Sequence, residues 1–137
     1  DYARALSLDA WAAAALFRAV VHPIFHNQII APKSKNQPGD AAAIRTALED
    51  RAPEAFAHLE SGKLDGFLVG ERLSIADLAV VSNLIQLHYL GHPLDPARHP
   101  ELAAYFRRQL ALPVFRSALD AERPFAERMA LDRSFMD

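Results

Sequence analysis

The 137-residue chain has no cysteine. That excludes disulfides, thiolate metal sites and a cysteine nucleophile within it. It is compatible with a reducing compartment such as the cytosol. Five glycines are too few for a turn-rich β fold. Runs of Val, Ile, Tyr and Phe alternating with polar residues are also missing, and with them the pattern of a half-buried strand. The net charge is −2 and no stripe of Lys and Arg appears, which argues against a nucleic-acid surface. No basic segment leading into an apolar one opens the sequence, so no signal peptide is expected. The longest apolar run, 75–90, would be about 24 Å long as a helix. It contains Asp77, Ser82, Asn83, Gln86 and His88, so no membrane span is expected there. A G-x-S-x-G elbow, a phosphate-binding loop and a credible pair of carboxylates are absent too.

What is present points to helices. Hydrophobic residues make up 51% of the chain, and Ala and Leu dominate them; both favour helix over strand. A first long helix is expected over 6–30, capped by Ser7 or Asp9 and kinked or divided at Pro23. The breaker-rich segment 31–39 reads as a loop. Asp40 should cap a second helix running to Ser61, bent at Pro53, with Ile44, Leu48, Ala52, Ala55 and Leu59 on one face. Pro100 and Pro113 stand where two shorter helices begin, ending near Leu110 and Ala121. The domain is therefore expected over 1–121, with 122–137 as a tail of mixed character. The fold class is all-α, a bundle of about five helices.

The most informative stretch lies between the second helix and these two. Ser74 and Asp77 form a capping box, S-x-x-D, in which each side chain can reach the other's backbone N–H. Leu73 and Leu78 stand at the positions of a hydrophobic staple, and Gly70 lets the loop turn before them. From Ile75 to Leu90 the only charge is Asp77. A helix so apolar on every side belongs at the centre of a bundle. Gly91 then stands where a left-handed C-terminal cap is needed. Asp77 reads as structural, and its loss should cost about 1–2 kcal/mol.

Few residues offer chemistry. His22 and His26 are four apart, a spacing that can share a metal on a helix. Pro23 disturbs that spacing and no third ligand is evident, so no metal is expected. Trp11, Ala15, Arg18, His22 and either Phe25 or His26 recur at helical spacing. That aromatic and basic face suits a pocket for an apolar or anionic small molecule; the alternative is ordinary packing. Arg107 and Arg108 read as a solvated pair, His99 as a weak helix cap, and His88 as a hydrogen-bonded core residue.

The set Phe67-Leu-Val-Gly-Glu-Arg-Leu-Ser-Ile-Ala-Asp77 resembles the start of the central helix in the all-helical C-terminal domain of glutathione S-transferases. The resemblance extends from about Leu6 to Ala121. It takes in the Trp early in the first helix, His22-Pro23, and Pro113-Val-Phe-Arg-Ser-Ala118. It implies the electrophile-site and dimerisation domain of a cytoplasmic enzyme that conjugates glutathione to a small apolar electrophile. Such an enzyme is a homodimer with no tightly bound cofactor, and glutathione is its co-substrate. The Trp11–His26 face is then the expected substrate-binding region: Trp11, Arg18, His22, Phe25 and His26. In the family, glutathione binds chiefly to an N-terminal thioredoxin-like domain that also supplies the thiol-activating residue. No catalytic residue is therefore expected in this chain, which should be inactive alone. The same scaffold also serves as a non-catalytic protein-interaction module, or as a glutathione-dependent isomerase, reductase or dehalogenase.

Overall fold

A computed structural model describes residues 1–136, and every regular element among them is helical. Five helices carry the fold: α1 (Tyr2–Ser34), α2 (41–60), α3 (Ile75–Tyr89), α4 (Pro100–Leu110) and α5 (Pro113–Arg128). A 3-10 turn, Ser134–Met136, follows.

α1 is longer at both ends than its sequence pattern suggests. It starts at Tyr2 with Asp1 as N-cap, so neither Ser7 nor Asp9 caps it. It does not divide at Pro23. The turns before that proline, Ala12–Val21, are π-wound, and the His22 N–H bonds the Phe17 carbonyl five residues back. A wider turn removes the need for the hydrogen bond a proline cannot make, so the helix continues. A second wide stretch, His26–Ser34, carries it through Pro32, and Ala31 is buried. The loop therefore begins after Ser34. By length and composition α1 could cross a membrane. Its Ala12, Leu16, Val20, Val21 and Ile24, however, are all 0% exposed within the main core of the bundle.

The return to α2 is held by one side chain. Asn27 accepts the Asp40 N–H at 2.9 Å and donates to the Pro23 carbonyl at 2.8 Å. Asp40 in turn accepts from Ala42 and Ala43, as an N-cap should. Gly39 crosses the Asn27 backbone so closely that a Cβ would sit 1.7 Å from its carbonyl oxygen. α2 repeats the device of α1, with a π-wound stretch, Ala47–Arg51, just before Pro53. Its last residue, Glu60, caps α4 across space. Its carboxylate accepts the N–H groups of Glu101 and Leu102 and meets His99 Nδ1 at 3.0 Å. His99 itself makes no capping bond.

α3 occupies the centre, packed chiefly on α1, with Ala76, Val80, Val81 and Leu84 fully enclosed. It ends in a Schellman motif. Gly91, at φ 87°, donates to the His88 carbonyl, and His92 donates to Leu87. α5 runs past Ala121 and through Pro124 to Arg128. Pro124 is exposed, where water can satisfy the carbonyl it leaves unbonded. The chain then turns at Ala130, which has φ 54°. It folds back on α3: the Asp132 N–H bonds the Tyr89 carbonyl at 2.9 Å, and Phe135 packs tilted against His88 and edge-on to Tyr89.

Candidate functional site

The capping box is formed in both directions. The Ser74 N–H donates to Asp77 Oδ2 at 3.1 Å, and the Ser74 hydroxyl accepts from the backbone of the first turn. Asp77 does more than cap. It is 0% exposed, and Oδ1 also accepts the Leu68 N–H at 3.0 Å and the Tyr105 hydroxyl at 2.6 Å. One carboxylate thus joins the incoming loop, α3 and α4. Burial, with Asp77 beside it, holds the Tyr105 phenol well above its ordinary pKa, so it remains a donor. Tyr105 was not singled out in the sequence. A Tyr among the buried positions Leu102, Phe106 and Gln109 needs a partner for its hydroxyl, but spacing does not say which. Leu73 packs against the main core, while Leu78 is 40% exposed on an open groove.

The Trp11–His26 face divides. Trp11 turns toward α2, with its ring 4.7 Å from that of His58, in a cleft of about 270 Å³ with Ala15, Ala19, Arg51 and Glu54. Arg18 and His22 are exposed. The rings of Phe17 and His26 lie 5.7 and 6.1 Å from that of His22. Phe25 faces a different cavity, of about 450 Å³. The wide winding of Ala12–Val21 is the cause. Ordinary α spacing places Arg18 beneath Trp11 and Ala15, whereas a wider turn carries Ala19 into that row instead. Among the described residues, no group of three or more His, Asp or Glu is arranged to hold a metal.

The cavity beside Phe25 lies between α1, the end of α3, and α5, and most of its wall is apolar. Its polar wall is Gln86, Tyr89 and Glu122, and Tyr89 donates to Glu122 Oε2 at 3.1 Å. Burial and the Glu122 carboxylate raise the Tyr89 phenol to about 12, with Arg133 pulling the other way. Below the cavity, His88 stacks on Phe106 at 4.7 Å and accepts the Leu94 N–H at 3.3 Å. Burial lowers its pKa to about 4, partly offset by Asp132.

The fold and the joint at Asp77 fit what comparison finds. Residues 42–108, just under half of the chain, match the family model for the glutathione S-transferase C-terminal domain. The whole bundle is similar to a glutathione S-transferase from Rhodospirillum rubrum, with a TM-score of 0.72 and 21% identity. The alignment covers 83% of this chain and 50% of that one, so the chain spans about half the length of that solved structure. At this identity the likeness is one of fold. No curated protein matches the sequence. Ser74, Asp77 and Tyr105 lie inside the matched stretch, and the Trp11–His26 face lies outside it.

Proposed function

We propose that the chain is the electrophile-site and dimerisation half of a cytoplasmic glutathione transferase of the detoxifying kind. The observation that carries this reading is the family match over 42–108, built around the Ser74–Asp77–Tyr105 joint. Conjugation forms a bond from the glutathione sulfur to an electrophilic carbon, with departure of a leaving group or uptake of a proton. It needs a thiolate at neutral pH and an electrophile held beside it. This chain would supply the second requirement: Phe25 would offer apolar contact within its cavity, and Arg18, His22 and His26, on the separate patch beside it in sequence, would offer positive charge or hydrogen bonds. Trp11, in its cleft against α2, would serve the contact between two copies or the wall of the site. The thiolate would be held by a thioredoxin-like domain in the same protein.

The test is a conjugation assay on this chain joined to a thioredoxin-like domain, with glutathione and a chromogenic aryl halide. Turnover that requires both halves, with Phe25→Ala raising KM for the halide severalfold and leaving KM for glutathione alone, supports the reading. A folded, glutathione-binding protein that conjugates nothing would overturn it. One observation favours a second reading, a protein-interaction module. Ile75, Leu78 and Val114 are 39–47% exposed along an open groove between the start of α1, α3 and α5. Stable capture of another protein on that groove, without turnover, would favour it.

A further inference from the structure

The cavity of about 450 Å³ beside Phe25 has a feature that apolar burial does not explain. Glu122 stands in its wall, and Tyr89 occupies only one of the two carboxylate oxygens, at 3.1 Å from Oε2. Among the described residues, Oε1 accepts no hydrogen bond from the protein. No Lys, Arg or His lines the cavity. Its apolar surface comes from Phe25, Phe125, Leu90 and Leu131, and Gln86 adds a neutral amide. Phe125 is 56% exposed and Phe25 37%, large fractions for phenyl rings with nothing packed over them.

We propose that this cavity binds a small aromatic molecule bearing an ammonium group, its ring on Phe25 and Phe125 and its cation on the free oxygen of Glu122. Charge complementarity selects the cation. A carboxylate ligand would meet the Glu122 carboxylate with no Lys, Arg or His in the cavity wall to offset the repulsion, and a neutral one would leave Oε1 to water. Tyr89 remains a donor throughout the physiological range and fixes the orientation of Glu122, leaving Oε1 to the ligand. Both phenyl faces add cation–π attraction when the ammonium group lies within reach. The volume suits a molecule of this size, within the usual range for ligand sites. Binding of this kind needs no glutathione and does not rest on the conjugation reading.

The test is titration of the 137-residue chain, its fold checked by a cooperative helical melt, with phenethylamine, phenethyl alcohol and phenylacetate, followed by NMR. Phenethylamine is expected to bind about tenfold or more tighter than phenylacetate, with the alcohol between. Glu122→Gln should remove the preference for the amine while leaving the melt unchanged, and Phe125→Ala should weaken all three. Equal affinity for the three ligands, tighter binding of phenylacetate, or no binding of phenethylamine by the folded chain would each overturn the proposal. So would a Glu122→Gln variant that keeps the preference.

Discussion

Asp77 shows how one side chain fixes a fold. The S-x-x-D spacing reveals its cap, but three further facts depend on tertiary structure: complete burial, the Leu68 N–H and the Tyr105 hydroxyl. Removing it strands three donors, the Tyr105 hydroxyl fully buried and the Leu68 and Ser74 N–H groups half-buried, so Asp77→Ala should cost more than an ordinary cap. We expect about 3 kcal/mol. Tyr105→Phe removes one of those bonds and should cost about 1–1.5 kcal/mol. In the double variant most of the Tyr105 effect should vanish, because its partner is already gone. Additive losses in denaturant melts would contradict the shared bond. His88 supplies a pH dependence. Its folded pKa is about 4 against 6.5 in the unfolded chain. Between those values the unfolded chain takes up a proton that the folded protein resists, so stability is full above pH 6.5 and falls as pH drops toward 4. Burial lowers the pKa of His92 as well, with the same sign. His88→Gln should flatten the dependence of Tm on pH across this interval; an unchanged slope would place the titration elsewhere.

At the scale of elements, the sequence was legible where caps and breakers act locally. Asp40, Ser74, Gly91, Pro100 and Pro113 stand at the boundaries their chemistry predicts. It was illegible where a helix absorbs a breaker. Pro23, Pro32 and Pro53 each lie within or just after a π-wound stretch, and no residue pattern announces such winding. The same winding separates Arg18 from the Trp11 row, so the expected face becomes two cavities and an exposed patch. Beyond Ala121 the sequence gives a weak signal, because α5 ends at a non-glycine turn. Ala130 occupies the left-handed position of a Schellman-type cap, with the Leu131 N–H on the Ala126 carbonyl. Ala130→Gly should therefore raise stability by about 0.5–1 kcal/mol, visible as a higher Tm. A fall would mean that the turn is unstrained.

At the scale of the whole molecule, the chain spans 50% of the length of the solved transferase whose fold it shares. Its core encloses most of α3, and Phe135 packs over the end of that helix. Its exposed surface carries large apolar side chains such as Phe25 and Phe125 among charged residues of both signs, and the sequence has no cysteine. In the proposed division of labour, such rings would place the electrophile and the thiolate would be held elsewhere. The family resemblance was legible from the whole segment Phe67–Asp77, with its loop glycine, staple and capping box, because that set is local and its neighbours in sequence are also its neighbours in space. The candidate site was less legible, since it draws on α1, α3 and α5 together.

The most direct test of this division of labour is a calorimetric titration of reduced glutathione into the chain by itself. The account predicts no saturable heat, because it proposes that the thiol site lies on a thioredoxin-like domain and not on this bundle. Saturable binding to the isolated chain would contradict it and would move the glutathione site onto the helical bundle.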